Sequence, residues 1–195
     1  MRNVAQTFYL MRHGETLFNQ LNKIQGWCDS PLTERGIAQA KIAGTYFEQN
    51  NITLNAAYSS TSERCVDTLE LVTDYQLDYT RLKVLKEWNF GRFEGEQEFL
   101  NPKLPYGNFF VPYGGEPELE FQKRIADTML EIAHNEPDDQ NILVVSHGAA
   151  CVRFMHYWEH TSDVEIESLR NCSIAKLTFS HEAFHLDEII HHDSH

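Results

Sequence analysis

Long apolar runs are missing from this chain of 195 residues. No stretch of about 18 or more consecutive apolar residues occurs, so no segment reads as a membrane-spanning helix. The opening Met1-Arg2-Asn3-Val4-Ala5-Gln6-Thr7 lacks the apolar stretch and small-residue cleavage site of a secretory leader, and the expected location is the cytoplasm. Cysteine is scarce. Cys28, Cys65, Cys151 and Cys172 lie far apart and form no CxxC pair, which signals neither zinc nor a redox motif, and they read as free, mostly buried thiols. Cations are scarce as well: 16 Lys and Arg stand against 29 Asp and Glu, for a net charge of -13. Nucleic acid and anionic membranes both need a basic surface and are excluded as expected partners. Internal repeats, Gly/Ser linkers and low-complexity tracts are also absent. With 42% hydrophobic content the length suffices for one core, and one domain over residues 1–195 is expected.

What is present is an alternation of short strand-like runs with longer helical stretches, the pattern of an α/β layer fold with a largely parallel sheet. Strands are expected at 7–11, 54–58, 82–88 and 141–145, the last an uninterrupted β-rich run typical of a strand covered on both faces. Two more, at 173–179 and 184–190, read as a hairpin or edge pair. Thr33 caps a helix to about residue 49, with Ile37, Ala40, Ile42, Ala43, Tyr46 and Phe47 as its apolar stripe. Further helices are expected at 62–72, 118–134 and 149–158. Between them, residues 96–117 carry Pro102, Pro105, Pro112 and Pro117 and read as an irregular, lid-like excursion.

Three strands end in ionisable residues: Arg12-His13-Gly14-Glu15, Ser59-Ser60 with Arg64, and Ser146-His147-Gly148. The carboxyl ends of parallel strands form the crevice where ligands bind, so these segments are expected to meet. Two guanidinium forks and two imidazoles, each imidazole followed by a glycine that permits close approach, describe an oxyanion pocket. Local focusing of the few cations reconciles an anionic ligand with an acidic chain.

The string Leu10-Met11-Arg12-His13-Gly14-Glu15-Thr16 with Asn19 resembles the signature of the histidine phosphatase superfamily, the phosphoglycerate mutase-like proteins. The similarity continues in order through Asp29-Ser30-Pro31-Leu32-Thr33, Gly36, Gln39-Ala40, Ser59-Ser60, Arg64 and Thr68. It runs on through Leu85-Lys86-Glu87, Phe90-Gly91, Glu94-Gly95 and Gly115-Glu116 to Ser146-His147-Gly148. The resemblance implies a three-layer α/β/α sandwich around a mostly parallel mixed sheet. It implies His13 as nucleophile and Glu87 as proton donor, with Arg12, Asn19, Arg64, His147 and Gly148 at the phosphoryl group. Among nearby acids, Glu94, Glu96 and Glu116 compete with Glu87 for the donor role.

In-line attack needs a neutral His13, which Arg12 and Arg64 favour, whereas His147 facing a dianion is expected to be protonated. With two arginines and His147 supplying charge, neither a metal nor another cofactor is expected. The expected activity is metal-independent hydrolysis of a small organic phosphomonoester, the acid phosphatase type of reaction. The excursion holds Phe99, Tyr106, Phe109, Phe110 and Tyr113 but one cation, Lys103. It lacks the longer arginine-rich insertion of phosphoglycerate mutases, so hydrolysis with an apolar-tolerant leaving-group pocket is favoured over mutase chemistry. A catalytically silent phospholigand-binding protein is the third reading, and a homodimer is left open. His156 and His160 have metal-compatible spacing but read as helix surface. His181, His185, His191, His192 and His195 carry no assigned role.

Overall fold

Seven residues, Gln6–Arg12, form strand β1, whose Phe8-Tyr9-Leu10-Met11 centre is buried on both faces. The computed structural model describes residues 5–161, 164, 166 and 168–192; His195 and the first four residues lie outside them. After β1 come a short helix α1 (Leu17–Gln20), α2 (Glu34–Gln49), β2 (Ala56–Ser60), α3 (Glu63–Val72) and β3 (Thr80–Leu82). They are followed by α4 (Glu118–Asn135), β4 (Asn141–Ser146), α5 (Gly148–Tyr157), β5 (Ile174–Ser180) and β6 (Ala183–Ile190). Thr33 caps α2 by accepting from the Gly36 N–H, as expected of a threonine at that place.

The six strands form one sheet in the order β3-β2-β4-β1-β5-β6. β3, β2, β4 and β1 are parallel, while β5 runs antiparallel to β1 and to β6, so the sheet is mixed and its parallel half carries the crossovers. Alternate residues of the central strands feed opposite cores. Phe8, Leu10, Ile142 and Val144 pack with Phe121, Ile125 and Met129 of α4 and Phe154 of α5. Tyr9, Met11, Leu143 and Val145 pack with Ala40, Ala43 and Phe47 of α2 and Leu69 and Val72 of α3. A three-layer α/β/α sandwich follows.

Two expectations change. The strand expected at 82–88 ends at Leu82, where a single 3-10 turn, Lys83–Leu85, swings the chain off the sheet. Its apolar residues serve the core rather than a ladder: Leu85 and Trp88 are buried beneath α4 and α5. The stripe of α2 is also shifted, because Gly36, Ala40, Ala43 and Phe47 face the sheet while Ile37 and Ile42 are 37% and 38% exposed.

Candidate active site

Parallel pairing of β1 with β4 places Arg12 opposite Ser146, and the His13 N–H donates to the Ser146 carbonyl at 3.1 Å. The residues that follow the two strands are therefore neighbours. The His13 and His147 rings meet edge to face with centroids 5.4 Å apart. Beside them opens a cavity of about 310 Å³ lined by Arg12, His13, Glu87 and Gly148, and beyond these by Lys23, Glu98, Asn101, Tyr106 and Arg153.

His13 is buried, and its Nδ1 lies 2.8 Å from the Gly14 carbonyl oxygen. A carbonyl only accepts, so Nδ1 carries the proton and Nε2 is left with its lone pair. Burial first, then the charges of Arg64 and Arg12, hold the imidazole well below the usual histidine range. The loop beyond it is locked to α2. A Cβ on Gly14 would meet the Gly36 carbonyl oxygen at 2.6 Å, so this glycine serves backbone packing rather than the ligand approach expected of it. Gly148 leaves room of another kind, since a Cβ there would press on the Arg12 guanidinium at 3.3 Å. Glu15 supports the same loop, accepting from Thr33 and pairing with Arg35.

Arg12 donates through Nη1 to the Leu169 carbonyl at 2.7 Å, while its buried Nε has no hydrogen-bond partner among the described residues. Arg64 is fully buried and does not line the cavity. Its terminal nitrogens donate to the Gly26 and Cys28 carbonyls, to Asp29 Oδ1 at 2.8 Å and to His147 Nδ1 at 2.8 Å. Guanidinium cannot accept, so His147 Nδ1 does, and the ring's proton sits on Nε2, facing Ser60 Oγ at 2.8 Å. Burial and then the Arg64 charge push His147 well below the usual range. The expectation of a protonated His147 is thus reversed in this structure: ring and guanidinium stand behind the cavity wall, the ring neutral, both its nitrogens engaged. Asn19 sits on α1, half-buried, with its Oδ1 3.3 Å from an Asn171 Nδ2 that also donates to the His13 carbonyl, and it is not among the residues lining the cavity.

Glu87 reaches the cavity from the chain that leaves β3. Its Oε1 accepts from the Trp88 and Ala150 N–H groups and its Oε2 from Ala149, so the carboxyl rests on the N-terminus of α5. Burial raises its pKa above the ordinary carboxylic value, against the opposing pull of the Trp88 and Ala149 N–H groups, Arg64 and Arg12. Two of the rival acids are otherwise occupied and the third faces solvent. Glu94 accepts from the backbone N–H groups of Gly26, Trp27, Cys28 and Phe90. Glu116 binds Arg124 at 2.6 Å and the Asn89 N–H, and Glu96 is exposed.

The outer cavity is more mixed than the sequence suggested. Of the excursion's five aromatics, Tyr106 lines it, whereas Phe109, Phe110 and Tyr113 pack around Phe93 and Phe99 is 81% exposed. Apolar surface comes instead from Ile24, Trp88, Phe90, Leu104 and Val152, and cations come from Lys23 and Arg153 rather than Lys103. Gln25 lines the cavity and accepts from the Thr16 hydroxyl, whereas the Trp27 indole donates to the Glu87 carbonyl. His156 pairs with Glu159 and His160 stacks on Trp158.

The profile of the histidine phosphatase superfamily (branch 1) matches residues 8–191. A curated 2,3-bisphosphoglycerate-dependent phosphoglycerate mutase of Treponema denticola is 28% identical over 200 residues, spanning 82% of this chain and 81% of that protein. Among solved structures, a phosphoglycerate mutase of Bacillus anthracis superposes with a TM-score of 0.84 at 26% identity, covering 95% of this chain and 92% of that one. A phosphoserine phosphatase of Entamoeba histolytica, in complex with 3-phosphoglyceric acid, superposes with a TM-score of 0.77 at 28% identity, covering 94% and 96%.

Proposed function

Since this chain belongs to the histidine phosphatase superfamily, branch 1, whose named relatives transfer phosphoryl groups, we propose that it hydrolyses a small organic phosphomonoester through a phosphohistidine on His13. The observation that carries the reading is the pairing in one cavity of an imidazole with a free Nε2 and a buried carboxyl of raised pKa. In the first half-reaction His13 Nε2 attacks phosphorus, Arg12 meets the charge on the phosphoryl oxygens, and Glu87 delivers its proton to the departing alkoxide. In the second, the Glu87 carboxylate takes a proton from water, which attacks the phosphohistidine and releases phosphate and neutral His13. Arg64 supplies positive charge from behind the cavity wall, the neutral His147 ring that accepts from it stands beside His13, and Asn19 and Gly148 complete the phosphoryl pocket.

Hydrolysis is favoured over mutase chemistry by the outer cavity. A bisphosphate must place a second anion there, yet Glu98 lines it as well, and Arg153 is already paired with Glu118 at 2.9 Å. The mutase reading draws on the names of the curated relatives and on Lys23 and Arg153 as anchors for an anion. The deciding experiment gives the purified protein an aryl phosphate and, separately, 3-phosphoglycerate with catalytic 2,3-bisphosphoglycerate. Phosphate release from the first with negligible 2-phosphoglycerate from the second is expected. The reverse pattern makes the chain a mutase, and inactivity in both over a broad pH range leaves the silent binder.

A further inference from the structure

Asn171 precedes β5 and belongs to none of the motifs that outline the site. Its Nδ2 donates to the His13 carbonyl at 3.0 Å and to Asn19 Oδ1 at 3.3 Å. Asn19 Oδ1 also accepts from the Thr16 N–H at 3.1 Å, one half of the capping box that starts α1. A backbone carbonyl cannot reverse its polarity, so the His13 oxygen dictates that the Asn171 amide turn its nitrogen inward. That nitrogen in turn dictates that Asn19 present its oxygen to Asn171. Once the Asn19 oxygen is committed to two donors, its NH2 faces away from them, with no partner inside the protein among the described contacts of that group.

We infer that Asn171 is a positioning residue: it fixes the orientation of the Asn19 amide so that a donor, not an acceptor, is offered to a phosphoryl oxygen. The inference rests on the phosphoryl pocket proposed above. An amide is isosteric with its own flipped form, and a flip would convert an attraction for phosphate into a repulsion. The His13 carbonyl, one bond from the nucleophile's own Cα, is thereby the reference against which a second phosphate ligand is set.

The test is a two-residue cycle read by binding of orthovanadate and inorganic phosphate in calorimetry, which needs no turnover. Asn19→Ala is expected to weaken binding at least about tenfold, the weight of one hydrogen bond to a charged group. Asn171→Leu is expected to weaken it about threefold to tenfold, less because the Thr16 N–H still holds Asn19. The double variant is expected to bind no more weakly than Asn19→Ala alone. Multiplying losses, or an Asn171→Leu protein that binds as wild type does, would overturn the inference while leaving the pocket intact. A wild type that binds neither anion would remove the pocket itself. If Asn171→Leu does not fold, Asn171→Asp keeps the size. Its carboxylate should capture the Asn19 NH2 and weaken binding at neutral pH, with affinity relative to wild type recovering as the introduced carboxyl takes up a proton. Relative affinity that is flat with pH contradicts the mechanism.

Discussion

His13 Nδ1 and the carbonyl oxygen of Gly14 are 2.8 Å apart, and this one contact, between a residue and its immediate successor, leaves Nε2 as the nitrogen able to attack. Replacing His13 with Ala is expected to bring turnover to background and to abolish an acid-labile phosphoprotein. Rapid acid quench with labelled substrate checks both, and a labelled protein in the variant would place the nucleophile elsewhere.

The two groups proposed to react have pKa values displaced toward each other. His13, lowered, stays neutral as pH falls below the ordinary histidine value near 6.5. Glu87, raised, keeps its proton to higher pH than an ordinary carboxylic acid. Turnover is therefore expected to follow a bell in pH, with the acid limb set by His13 and the alkaline limb by Glu87. Glu87→Gln should slow hydrolysis about 10²- to 10⁴-fold and erase the alkaline limb while phosphate still binds. An alkaline limb that survives the substitution assigns the proton to another group.

Glu94 is expected to act on stability and only indirectly on rate. Its carboxylate gathers four backbone N–H groups from residues 26–28 and 90, and the Gly26 and Cys28 carbonyls of the same loop hold Arg64. Glu94→Gln turns an N–H toward other N–H groups and should cost about 2–4 kcal/mol in urea unfolding. A denaturation midpoint equal to the wild type's would contradict this account of the loop.

Buried neutral histidines tie stability to pH. The folded pKa values of His13 and His147 lie below those of the unfolded chain, so the unfolded state binds protons first as pH falls. Stability is expected to fall below about pH 6.5, each group contributing up to about 1.4 kcal/mol per pH unit until its folded pKa is reached. Glu87 works in the opposite sense, easing the loss between its raised folded pKa and the unfolded value near 4.5. His147→Gln should remove one proton from the slope, and an unaltered slope in a melting series across pH 4–7 would count against a neutral His147.

If charge in the site comes from arginine, turnover should be unaffected by EDTA. Loss on chelation with recovery on adding a divalent metal would overturn the metal-independent mechanism.

Much of this was legible in the chain. Helix α2 announced itself through Thr33, and the run Ile142-Leu143-Val144-Val145 could serve both faces of a sheet only at its centre. Residues 82–88 misled because alternating apolar side chains look alike whether they pack on a ladder or beneath a helix. Arg12, His13 and Glu87 stood in motifs whose order made them visible. Lys23, Arg153 and Asn171 did not: each reaches the site as a lone polar residue from a distant segment, with no local pattern to mark it. Glu94 looked like a rival acid because a carboxylate that binds backbone amides has the same composition as one that moves protons.

The seat of Glu87 on the first amides of α5 bears on the second half of turnover. A general acid that has given up its proton in a dry cavity would be stranded as a buried anion, and the next event, water activation, would have to climb out of that well. In the proposed mechanism the Ala149 and Ala150 amides would meet that anion where it forms, bringing the protonated and ionised forms of Glu87 closer in free energy.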